Sequence, residues 1–178
     1  MMLTLYREPE KYFKKFDLDE SLVLRFVCAH DHRKIDLVFD YAGEAVELIG
    51  TGRWKKGDPV PPRDLRRIVF CGVESVTHLG VRTPVNATES EYSLARGTGP
   101  IVLTAVSFAK DRDRYRMTLG MARSGSHSFS FESILVDQRL GRGRRVGAQQ
   151  WVYSDVRTNE EFDFYEPFDR SLDVAGPV

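Results

Sequence analysis

Apolar residues in this chain recur mostly at every second position, in short runs separated by polar or glycine-rich stretches. That period belongs to strands with one buried face. The clearest runs are LVLRFVCA (22–29) and IDLVFDYA (35–42), flanking HDHRK. An antiparallel pairing of Cys28 with Leu37, Phe26 with Phe39 and Leu24 with Tyr41 makes one face wholly apolar. It leaves Arg25 opposite Asp40 on the other face, a favourable cross-strand charge pair. A second hairpin is expected from IVLTAVSFA (101–109) and YRMTLGMA (115–122) around KDRDR, pairing Phe108 with Tyr115, Val106 with Met117 and Val102 with Met121. SFSFESILVDQR (128–139) reads as a third strand of that meander, with Gly125 supplying a positive φ in the turn before it. LRRIVFCGVESVTHLGV (65–81) reads as a strand with a bulge or bend at Gly72, and AQQWVYSDV (148–156) as a last strand.

The remaining stretches follow other rules. PEKYFKKF (9–16) predicts a short helix, with Pro9 at its first position and Tyr12, Phe13 and Phe16 on one face. GTGRWKKGDPVPPRD (50–64) and GRGRRVG (141–147) are rich in Gly, Pro and charge and read as loops. Residues 82–100 are polar and irregular, with room for a short strand or helix. Strands linked by hairpins, without βαβ spacing, exclude a doubly wound fold. The expected architecture is mainly β: an antiparallel sandwich or partly closed barrel of at least seven strands with one short N-terminal helix. It occupies residues 1–157, and residues 158–178 form an acidic-aromatic tail docked on it.

Composition narrows the function classes. Lys plus Arg and Asp plus Glu are equal at 26 each in 178 residues. Zero net charge argues against a dedicated nucleic-acid binder and gives no attraction to an anionic membrane. Two cysteines and no long apolar run point to a cytoplasmic protein with reduced thiols.

Cys28-Ala29-His30-Asp31-His32 gathers metal-ligand chemistry in five residues. The hairpin turns it into a strand end and a turn: Cys28 inside, His30 at the rim, His32 in the loop. A zinc site needs about four ligands, and the sequence supplies no further one nearby. A metal-dependent enzyme using His30 and His32 is therefore the weakest alternative. RSGSHS (123–128) holds Ser124, Ser126 and Ser128 beside His127 but lacks the nucleophile elbow. Cys71 reads as a small core residue. No catalytic residue, metal or cofactor is expected.

Two charged segments are better candidates for a partner surface. Arg142, Arg144 and Arg145 present guanidinium forks to an acidic partner, either another protein or this chain's own tail. In the tail, Glu160, Glu161 and Asp163 accompany Phe164 and Tyr165. Aromatics let a segment dock and carboxylates choose what it docks to. A second alternative is a small-ligand-binding β-barrel with Trp54 or Trp151 in its pocket.

Three stretches, RRIVFCGVESV (66–76), YRMTL (115–119) and HSFSFESILVDQR (127–139), together resemble the small β-rich bacterial immunity proteins of polymorphic toxin systems and related bacterial domains. The resemblance implies a non-enzymatic cytoplasmic protein that binds and blocks a toxin partner, and carries no catalytic motif.

Overall fold

The computed structural model describes residues 3–29, 33–41, 63–78, 81–84, 90–93, 101–122, 125–146, 151–164 and 166–169; of residues 29, 81–84, 90–93, 145 and 151 it describes the backbone alone. The chain is mainly β and every strand pairing is antiparallel. In order come β1 (Thr4–Tyr6), α1 (Glu10–Phe13), β2 (Leu22–Ala29), β3 (Lys34–Asp40), β4 (Arg63–Cys71), β5 (Ser75–His78), β6 (Val81–Pro84) and β7 (Ser90–Ser93). They are followed by β8 (Ile101–Asp111), β9 (Arg114–Met121), β10 (Gly125–Phe131), β11 (Ser133–Arg145), β12 (Trp151–Asp155) and β13 (Glu161–Phe162).

The strands form one continuous sheet that runs β13-β12-β11-β4-β3-β2-β8-β9-β10-β5-β6, with β1 beside β11 and β7 beside β2. It folds over on itself. Phe70 of β4 meets Phe129 and Phe131 of β10 at ring-centroid distances of 4.9 and 5.0 Å. β13 to β2 therefore make one layer and β8 to β6 the other. The path ends at β13 and β6 without joining, so the sheet does not close into a barrel. The space between the layers is filled by Phe26, Phe39, Phe70, Ile68, Met117 and Phe131, all fully buried.

The layers are joined at a corner. β4 bends into β5 at Gly72, whose φ of +76° suits glycine, as its sequence position predicts. β10 bends into β11 beside it, and Glu132 N–H donates to Cys71 O at 2.9 Å. The expected single strand over 128–139 is thus two strands in different layers, broken at Glu132. Apolar parity records the break, because buried Phe129 and Phe131 are followed by buried Ile134 and Val136.

Both hairpins differ in register from the expectation. Phe26 faces Leu37, Cys28 faces Ile35 and Arg25 faces Val38, with a bulge at Leu24. Phe108 faces Met117 and Val106 faces Leu119, with a bulge near Thr104. In the second hairpin the loop shrinks to Arg112-Asp113, Arg112 taking a φ of +54°. Arg25 does not pair with Asp40. It donates to Asp36 at 2.8 Å, while Asp40 takes Arg63 at 3.0 Å. α1 is one turn over Glu10–Phe13 with Pro9 as its N-cap. Its ring face behaves as expected: Tyr12 is buried, and Phe13 packs 4.8 Å from Phe108 across the open end between the layers.

Candidate functional site

Residues 141–145 of GRGRRVG are strand rather than loop. β11 runs unbroken to Arg145 because residues 141–145 pair with β12. Gly141 has a specific reason: a Cβ there would come within 2.9 Å of the Phe162 ring. β12 in turn pairs with β13, Tyr153 opposite Phe162. Phe164 stacks on Tyr153 at 5.0 Å, and Phe168 is buried in a second cluster with Leu24, Val38 and Leu65. Phe162, Phe164 and Phe168 thus lie over the outer face of the first layer, rings inward. Glu160, Glu161 and Asp163 point out to solvent.

The predicted partner residues come together only in part. Arg144 reaches Glu161 at 3.5 Å, both well exposed. Arg142 is exposed. The arginine that holds the tail is Arg139, the first of the same arginine run in QRLGRGRR. It pairs with Asp155 at 3.4 Å and lies 4.9 Å above Phe162 and 5.9 Å from Phe168. Its mid-strand position, two residues after Asp137 on the same face, was the available signal. The side chains of Arg145 and Trp151, and all of Tyr165, Trp54, His30, Asp31 and His32, lie outside the described residues.

Where β1, α1, β11 and the β12–β13 turn converge, they leave an open notch of about 590 Å³. Tyr6, Tyr12, Phe16 and Phe168 supply its rings, and Arg66, Arg139 and Arg157 its guanidinium groups. Arg66 is nearly buried. It donates through Nε and Nη2 to Asp64 and lies 3.9 Å from the Phe16 ring and 4.3 Å from that of Tyr41. Such stacking of Arg between rings, with a bidentate carboxylate, fixes the guanidinium plane. Burial pushes the Tyr12 phenol upward, and its hydroxyl accepts from Arg66 Nη1 at 3.4 Å.

Beneath the tail lies a charge row. Arg25 and Arg67 both face Val38 in register. Asp36, two residues before Val38 on the same face, takes Arg25 Nη2 at 2.8 Å and Arg67 Nε at 2.9 Å. Asp137 faces Arg67 across the next ladder. Burial pushes the Asp137 carboxyl above its ordinary range, opposed by the hydrogen bond from Gln138 N–H and by the charges of Arg67 and Arg139.

The second layer presents a different face. Ser107, Thr118, Ser128 and Thr77 lie in one cross-strand row, and Thr118 and Ser128 share a hydrogen bond of 2.8 Å. At its corner end Arg114 ties Glu132 (2.9 Å), Glu74 (3.4 Å) and Gly72 O. His127 points the other way, into the core. Its ring stacks on His78 at 4.1 Å and touches Phe26 at 5.1 Å. Burial and then His78 lower its pKa to about 4. Strand alternation therefore separates His127 from Ser126 and Ser128, and RSGSHS assembles no serine–histidine pair from them. Neither histidine had a sequence signal for the other; only the β5–β10 register brings them together. Cys28 is buried and Cys71 half-buried, both free, and burial pushes the Cys71 thiol up, away from the reactive thiolate. Among the described residues no group of three or more His, Cys, Asp or Glu is placed to hold a metal ion, and no helix is long and apolar enough to cross a membrane.

Compared with protein-family models, curated proteins and solved structures, the chain matches none.

Proposed function

We propose that this chain is a bacterial protein-binding domain rather than an enzyme, acting as an immunity-type inhibitor that covers a toxin partner. The observation that carries the reading is the make-up of the notch. Tyr, Phe and Arg make up seven of its sixteen lining residues, and these residue types are enriched in protein interfaces. Its strongest charges are already spent on holding it in shape: Arg66 on Asp64, Arg139 on Asp155. A pre-formed surface of this kind binds with little ordering cost. The three stretches that resemble immunity proteins fall on β4–β5, β9 and β10–β11, and the first and third of them build the corner and the long strand along the notch. Occlusion is steric and electrostatic and requires no cofactor.

The test is co-expression with proteins encoded beside this one. The expected result is a stoichiometric complex with a toxin-like neighbour, relief of its toxicity, and loss of both when Lys15 and Arg157 at the notch rim are changed to Glu. A toxin-like neighbour that neither binds nor is neutralised overturns the reading.

A further inference from the structure

β5 and β6 end the second layer. Among the described residues β5 pairs with β10 and β6 only, and β6 closes the path. β9 is held to β10 by seven register pairs, Gly125 to Phe131, whereas β5 is held by three, His127 to Phe129. This arm leaves the corner through Val73 and Glu74, neither of which belongs to a strand. Val73 is buried and donates its N–H to Arg33 O at 2.8 Å. Glu74 is exposed and pairs with Arg33 and Arg114. The two residues form a hinge with one anchored side. Beyond it, two described side chains of the arm face the core, Val76 and His78. His78 lies opposite His127 across the ladder, and the two rings stack at 4.1 Å with 8° between their planes. His127 is only 1% exposed. Phe26 of the facing layer is 5.1 Å from its ring, and Leu119 is its register partner on β9.

We infer that the β5–β6 arm is an acid-released flap whose latch is the stack of His78 on His127. This switch goes beyond partner binding and does not depend on it. Neutral, the two imidazoles pack as flat rings. Protonated, His127 is a cation in apolar surroundings, and a second proton on His78 sets two like charges one ring spacing apart. Both states are costly in a core. The groups that face His127 do not offset the charge. β2 presents Phe26 and, on the same face, the Cys28 thiol; β9 presents Leu119, β10 Phe129, and β5 Val76 and His78. His78 acts against the proton. The carboxylate of the hinge, Glu74, is shared by two arginines. Once the arm swings out, both rings reach water and take protons freely. Edge elements with few contacts open in this way without unfolding the rest of a domain. The sign follows from the closed state. Burial, and then His78, lower the His127 pKa from 6.5 to about 4, so the open form binds more protons between these values. Opening therefore grows as pH falls, by about 20-fold from pH 7 to pH 5.

The experiment follows amide hydrogen exchange of the whole ¹⁵N-labelled chain at pH 7, 6 and 5, each rate divided by the intrinsic rate at that pH. The reporters are Val76, Thr77 and His78 in the arm, against Leu37 and Ile68 in the centre of the first layer. The arm amides are expected to open about 20-fold more at pH 5 than at pH 7, while Leu37 and Ile68 keep their protection. His127→Phe, which keeps a ring in the stack, is expected to abolish the gain. His78→Phe, which removes the second proton site, is expected to reduce it. Should His127→Phe fail to fold, the ring nitrogens of His127 in the native chain give the same answer, since they are expected to titrate in step with arm opening. Arm exchange that ignores pH, an equal gain at Leu37 and Ile68, or ring titration while the arm stays closed overturns the flap. An undiminished gain in either histidine variant overturns the stack as its latch.

Discussion

Glu132 lies over the bare α-carbon of Gly72: a methyl group placed there would meet Glu132 Cδ at 2.6 Å. The contact sits where both strands turn from one layer into the other, and the +76° φ of Gly72 makes the turn possible. Gly72→Ala is expected to cost about 1–3 kcal/mol. The left-handed backbone carries most of it, because Glu132 is exposed and can swing away from Arg114 at little cost. Urea unfolding measures this. Glu132→Ala alone is expected to change stability by under about 0.5 kcal/mol, as exposed pairs do.

His127 makes stability depend on pH in a defined direction. Its folded pKa, about 4, is below the unfolded value near 6.5. The unfolded chain therefore binds more protons between these values, and stability rises with pH there. The stabilisation is fully present above pH 6.5 and is lost as pH falls toward 4, by up to about 3 kcal/mol. Asp40 and Asp137, whose folded pKa values are raised by burial, act oppositely over the acid range. The clean measurement is the difference between the native chain and His127→Phe. The difference should shrink with acidification, and a pH-independent difference would falsify the assignment.

Asp36 is the only carboxylate hydrogen-bonded to Arg25 and Arg67 among the described pairs. Asp36→Ala removes the carboxylate that two buried guanidinium groups share and is expected to cost about 3–5 kcal/mol. Arg25→Met leaves Asp36 with Arg67 and is expected to cost clearly less. Chemical denaturation of both single variants and the double variant gives the coupling.

The docked tail separates ring from charge. Phe168→Ala removes a ring that is 4% exposed and is expected to cost about 3 kcal/mol, near the low end for a buried Phe. Glu161→Ala, which removes the exposed partner of Arg144, is expected to stay within about 0.5 kcal/mol. A comparable loss in the two variants would mean that charge, not ring burial, seats the tail.

The sequence carried the alternation, the strands and the bend at Gly72, but not the pairing. Side chains in strands repeat with a period of two, so a hairpin displaced by one residue inverts its faces, and one displaced by two keeps them. Phe26 opposite Leu37 and Phe26 opposite Phe39 are equally apolar. The choice was made by turn geometry, including the left-handed Arg33 (φ 49°) and Arg112 (φ 54°), which are not residues that announce a positive φ. The charged residues of β2, β3 and β4 misled for a related reason. Charge on the outer side of a strand normally marks solvent, yet Arg25, Asp36 and Arg67 are buried because they satisfy one another. The notch was invisible because Tyr12, Arg66, Asp137 and Arg157 lie far apart in sequence, and only the junction of four elements brings them to one place.

The corner at Gly72 and Glu132 also bears on how this protein could have arisen. β4 continues into β5, and β10 into β11, so each of the two facing layers owns half of the same two chain segments. Neither layer could be inherited, transplanted or lost without the other. Gly72 and Glu132 lie far apart in sequence, and contacts between such distant parts of a chain form slowly. Evolution could reshape the edges of this fold residue by residue, but its two halves had to enter history together.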